Sequence, residues 1–206
     1  MNRAPTEGGM TYNPEIHHRQ STRLRDYDYS RAGAYFVTIC AWQRECLFGE
    51  MVDGVMRLND AGHIIDESWQ RISTHFSDVD IDQYIIMPNH FHGIVSIVGA
   101  GSPRPDLSRN VNKTPEIQGG ETPPLRVVTL GQIVGYFKYQ STKHINQSRN
   151  TPGIPVWQRN YYERIIRDEL ELNAFRQYIA GNPVRWEEDE NHPTRSSGLL
   201  RGKPYE

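Results

Sequence analysis

Cysteine is almost missing from this 206-residue chain: Cys40 and Cys46 are its only two. That excludes a disulfide framework and any cysteine-rich zinc module, and it suits a reducing compartment such as a prokaryotic cytoplasm. No apolar run approaches the ~20 residues of a membrane span, and the first thirty residues lack the apolar centre of a secretion signal. A dominant charge is missing as well. The 23 Lys and Arg face 25 Asp and Glu, for a formal net charge of −2, which taken alone leans away from nucleic acid. Hydrophobic residues amount to only 36%, enough for one modest core, and no internal repeat occurs.

The near-neutral total hides a distribution. Residues 126–185 hold nine Lys and Arg against four Asp and Glu. The cations, among them Lys138, Arg159, Arg164, Arg167 and Arg176, are interleaved with aromatics such as Phe137, Trp157, Tyr161, Tyr162, Phe175 and Tyr178. Cations neutralise phosphates and rings stack on unpaired bases, so the mixture suits single-stranded nucleic acid. It also suits a solvated helical face over ordinary core aromatics.

Patterning predicts the order β-α-β-β-α-β-α. Tyr35 to Trp42 is a β-branched and aromatic run, and Asp53-Gly54 centres a short hairpin within 51–58. A helix from Asn59 or Asp60 to Ser73 turns Ile64, Ile65, Trp69 and Ile72 inward. Strands follow at 79–87 and 90–98, separated by the Pro88-Asn89 turn. Thr129 caps a helix to about Gln147 with Ile133, Val134 and Phe137 inward, and 156–166 is an irregular strand. Asp168 and Glu171 form a capping box for a last helix, which Gly181 and Pro183 stop. The first six elements match a ferredoxin-like α+β plan, an antiparallel sheet with two helices on one face. The seventh packs at the open face or an edge. The expected organisation is a loose arm at 1–21, a single domain at 22–186 with a flexible insert at 99–124, and a tail at 187–206.

The sharpest motif is Met87-Pro88-Asn89-His90-Phe91-His92-Gly93. On a strand, residues two apart share a face, so His90 and His92 sit side by side while Phe91, Val95 and Ile97 face the helices. Two imidazoles so placed can reach one metal ion, and with oxygen ligands added the site suits Mg2+, Mn2+ or Zn2+, with open positions for a substrate oxygen. Tyr178 and Asn182 are four residues apart and so share a helix face. Spacing alone favours reading the first as a core-edge aromatic and the second as a helix C-terminal residue.

Four blocks together are more specific than any one. They are His90-Phe91-His92 after its Met-Pro-Asn turn, Tyr27-Asp28-Tyr29 with Gly33 to Ile39, Val156 to Glu163, and Tyr178-Ile179-Ala180-Gly181-Asn182-Pro183-Val184. In combination over residues 22–186 the chain resembles the REP-associated tyrosine transposases, a branch of the single-tyrosine HUH transposases (the IS200/IS605-like group). The resemblance implies an RRM-like sheet and a divalent metal, Mg2+ or Mn2+, held by His90 and His92 and completed by Asn182. It implies Tyr178 as nucleophile, with Tyr161 and Tyr162 ranked second because they lie off the helix the family uses. It further implies single-stranded or hairpin DNA as partner, cut through a 5′-phosphotyrosine, with Lys138, Arg159, Arg164, Arg167 and Arg176 as DNA-binding candidates. The enzyme would act as a monomer or homodimer. Two other classes stay open: a metal-dependent hydrolase whose histidine pair activates water, and a catalytically idle hairpin-binding protein on the same fold.

Overall fold

Alternation builds the strand at the centre of the fold. In β1 (Gly33–Cys40) Tyr35, Val37 and Ile39 are fully buried in the main core, while Phe36 enters a second core on the opposite face of the strand. The computed structural model describes residues 28–98 and 128–195. The expected arm at 1–21, the insert at 99–124 and the last part of the expected tail, 196–206, lie outside the described residues.

After β1 come the hairpin strands β2 (Gly49–Val52) and β3 (Val55–Leu58), then α1 (Asp60–Gln70), the single-turn α2 (Ile72–His75), β4 (Val79–Met87) and β5 (His90–Ile97). The chain continues with α3 (Leu130–Arg149), β6 (Tyr162–Ile166), α4 (Glu169–Gly181) and a 3-10 turn at Pro183–Glu188. Four strands form an antiparallel sheet in the order β4-β5-β1-β6. Each helical crossover therefore skips a strand: α1 links β1 to β4 with β5 between them, and α3 links β5 to β6 with β1 between them. That is the split βαβ arrangement the element order predicts.

Local chemistry sets the ends. Asn59 caps α1 by accepting from Gly62 N, and Thr129 forms a capping box with Gln132 at α3. Asp168 caps α4, but the Glu171 carboxylate accepts from Arg167 N, one residue before the position a capping box requires. The expected strand at 156–166 is shorter, beginning at Tyr162. Trp157 still bridges to Ala41, but Lys138 Nζ then donates to the carbonyls of Gln158 and Arg159, at 2.6 and 3.0 Å, and takes them off any ladder.

Helices α1 and α3 cover one face of the sheet. Trp69 lies at their centre, its ring 4.5 Å from Phe91 and 5.1 Å from Phe137. Fully burying such side chains contributes about 1.5–3 kcal/mol each. The glycine of the His-Phe-His-Gly run is explained here, because a Cβ on Gly93 would lie 2.7 Å from both Trp69 and Phe91. Gly93→Ala should therefore cost about 1–3 kcal/mol through overpacking, read as a lower urea midpoint with an unchanged slope. A neutral substitution would show that the indole has room to move.

Helix α4 packs on the other face. Phe36, Ile94, Ile166 and Ile179 form a small second core there, joined by Leu172, Phe175 and Tyr178. This positions the end of α4 over the two histidines of β5.

Candidate metal and nucleophile site

The Pro88-Asn89 turn delivers His90 and His92 to the α4 side of the sheet, as alternation predicts. The rings are buried at 0% and 2% exposure with centroids 4.6 Å apart. Each is anchored through Nδ1. His90 Nδ1 stands 2.9 Å from Asn89 Oδ1, and the Asn89 amide is oriented by two donations from Nδ2, to Arg44 O and Asn191 O. Oδ1 is thus the acceptor facing His90, so Nδ1 carries the proton and Nε2 keeps its lone pair. His92 Nδ1 stands 2.8 Å from Thr38 Oγ1. Anchoring of one ring nitrogen to orient the other is how metal-binding histidines are commonly held.

The inner atoms point to a cation. His90 Nε2, His92 Nε2 and Asn182 Oδ1 are all buried, and none makes a well-formed hydrogen bond among the described residues. Leaving one such group unsatisfied costs about 1–3 kcal/mol, so these atoms are open to a ligand. Burial pushes the His90 pKa down to about 4 against the opposing pull of the Asp189 carboxylate, with Arg44 lowering it further and the Asn182 side chain raising it. Burial, then the neighbouring His90, holds His92 well below the ordinary range. Both rings are therefore neutral at pH 7, with lone pairs available.

A fourth group joins them that the sequence reading did not identify. Asp189, expected in the tail, lies with a carboxylate oxygen 3.8 Å from His90 Nε2, and ligand atoms of His90, His92 and Asp189 all fall within 4.8 Å of one another. The first residues of the expected tail are in fact folded against the site. Trp186, the last residue of the expected domain, is buried, with its ring 6.0 Å from that of His90. Asn191 accepts from Asn89 through its carbonyl and from Arg44 through Oδ1. The sequence around Asp189 is an acidic run, Glu187 to Glu190, with no spacing that separates a ligand from a solvated surface.

Tyr178 completes the constellation. Its ring meets His92 edge-on, centroids 5.2 Å apart, and meets Phe36 at 5.8 Å. One helical turn on, Asn182 is 3% exposed. Tyr178, His92, Tyr161 and Tyr162 all line one cavity of about 650 Å³. The structure thus brings together His90, His92, Asn182 and Tyr178, and it places the second-ranked tyrosines nearby.

The cationic candidates divide. Arg176 is tied to Asp82, its shortest contact 2.6 Å, and to Glu169; Arg164 pairs with Glu171 at 2.9 Å. Lys138 is committed to the two backbone carbonyls, and burial lowers its pKa to about 8. Arg159 and Arg167 are exposed.

Three comparisons bear on the chain. No protein-family model matches it. An uncharacterized protein of Haemophilus influenzae is 41% identical over 179 residues, which covers 87% of this chain and 96% of that protein. Among solved structures, a REP-associated tyrosine transposase bound to a REP hairpin is 17% identical with a TM-score of 0.49, over 81% of this chain and 74% of that one. A candidate transposase from Deinococcus radiodurans R1 is 13% identical with a TM-score of 0.40, over 77% and 95%.

Proposed function

This chain belongs to one family with the uncharacterized Haemophilus influenzae protein, and from its site we propose that it is a metal-dependent single-stranded DNA endonuclease and strand transferase of the tyrosine HUH type, acting on hairpin DNA. One observation carries the reading. Two buried, neutral histidines with open Nε2 atoms lie against a helix that offers a phenol at Tyr178 and a carboxamide at Asn182. The motif resemblance over residues 22–186 supports the same assignment.

The donor set fits a divalent cation, Mg2+ or Mn2+: His90 and His92 would hold it through nitrogen, with Asn182 and Asp189 as oxygen donors. When bound, the ion supplies positive charge to a non-bridging phosphate oxygen and so favours the crowded phosphorus of the transition state. The remaining steps belong to the chain. Tyr178 Oη loses its proton and attacks the phosphorus of a phosphodiester. The P–O3′ bond breaks and the leaving oxygen takes a proton, giving a 5′-phosphotyrosine and a free 3′-OH. The phosphoester stays activated, so a second 3′-OH can displace Tyr178 and rejoin strands without ATP. Asn89 and Thr38 hold the histidine rings in place, and exposed Arg159 and Arg167 contact the DNA backbone.

The test is an adduct. Hairpin oligonucleotides from the DNA bordering the gene are incubated with the protein and Mg2+ or Mn2+, and the products are run on denaturing gels. A protein–DNA species that survives denaturation is expected. Cleavage leaving only free 5′-phosphate would replace the proposal with a metal nuclease, and binding without cleavage would reduce it to hairpin recognition.

A further inference from the structure

The cavity beside Tyr178 has a feature that strand transfer alone does not use. Thr38 of β1 pairs with His92 of β5 on one side and with Tyr162 of β6 on the other, so the three lie in one cross-strand row. Directly opposed residues share a sheet face, which puts Tyr162 on the face that carries the histidines. Two strand spacings, about 9.6 Å, separate the backbones of β5 and β6. A phosphate held at the histidines thus has Tyr162 within reach of the nucleotide attached to it.

The cavity is built like a base pocket. Its 650 Å³ falls within the range of small-molecule sites. Phe175 is already stacked on Phe36, with centroids 4.5 Å apart and planes at 17°, and the Arg164 guanidinium lies over it at 5.8 Å. The Phe175 wall is therefore closed. Tyr162 is different: it is half-buried in the same cavity, and no ring among the described residues stacks on it. Gln158 and Asn160 also line the cavity, and their side-chain amides can both donate to and accept from a base edge.

The geometry points to this cavity as a pocket for one unstacked nucleobase, that of the nucleotide next to the scissile phosphate, with Tyr162 as its stacking platform and Gln158 and Asn160 reading its edge. This rests on the strand-transferase reading and adds a sequence preference to it. A base in this pocket fixes the position of the backbone relative to Tyr178, so recognition and cleavage register are set by the same contact. Tyr162 then serves in binding and leaves the attack to Tyr178.

The experiment separates binding from cleavage by using the full-length Tyr178→Phe protein. Hairpin oligonucleotides with single-stranded flanks from the gene's borders are titrated by fluorescence anisotropy, with an abasic site walked through the flanks one nucleotide at a time. One position is expected at which loss of the base weakens binding about ten-fold or more. Adding Tyr162→Leu, which keeps apolar bulk and removes the π-face, should weaken binding to the intact strand by a similar factor and abolish the abasic penalty. Adding Tyr162→Phe should leave both unchanged. A flat abasic scan, or a penalty that persists in Tyr162→Leu, overturns the pocket while the transferase reading stands on its covalent adduct. A protein that binds none of the oligonucleotides overturns both.

Discussion

Tyr178→Phe is expected to eliminate the covalent protein–DNA adduct, by at least about 10³-fold, while affinity for the hairpin stays within a few-fold of wild type. The substitution removes one oxygen and keeps the ring, so the edge contacts with His92 and Phe36 and the small core beneath α4 persist. Tyr161→Phe and Tyr162→Phe should each retain the adduct. The comparison matters because all three tyrosines line the same cavity. What separates them is the element that carries each. Tyr178 sits on α4 in ring contact with His92 and four residues before Asn182, whereas Tyr162 opens β6, with β1 between it and His92. An adduct that survives Tyr178→Phe and disappears in Tyr161→Phe or Tyr162→Phe would transfer the nucleophile to Tyr161 or to Tyr162 at the start of β6 and overturn the assignment.

The parts of this site that were legible in the sequence depend on short-range periodicity. His90 and His92 fall on one strand face because alternation is a local rule, and Tyr178 and Asn182 share a helix face for the same kind of reason. The split sheet followed from element order. The parts that were not legible depend on residues that meet across the chain. Asn89 contacts the carbonyl of Asn191, 102 residues away, and Arg176 meets Asp82 across 94. No window of sequence reports that Asp189 stands beside His90 while its neighbours in the same acidic run, Glu187, Glu188 and Glu190, are exposed. The basic block is a related case. Counting cations in residues 126–185 includes Arg164 and Arg176, whose charges are offset by Glu171 and Asp82, and Lys138, which is spent on two carbonyls. Local excess charge is not the same as charge available to DNA.

Loss of either histidine should remove the second large effect, the dependence of cleavage on Mg2+ or Mn2+. His90→Ala and His92→Ala are each expected to lower adduct formation by about 10²-fold or more, with the hairpin still bound, because on the proposed reading the rings hold the ion while Arg159 and Arg167 contact the DNA backbone. The same rings give the protein a pH signature. Unfolded histidines take up protons near pH 6.5, whereas burial holds folded His90 near 4 and His92 also well below its ordinary value. Between these values the unfolded chain binds more protons, so stability is full above about pH 6.5 and falls as pH drops toward 4. A cation at Nε2 competes with those protons. Mn2+ should therefore raise the melting temperature of the wild type at pH 7.5, and do so much less at pH 5. In the His90→Ala/His92→Ala double variant, shown to be folded by circular dichroism, Mn2+ should produce no shift, and the decline between pH 6.5 and 4 should flatten. An undiminished Mn2+ response in the double variant would place the metal elsewhere in the molecule and leave the buried Nε2 atoms without their proposed ligand.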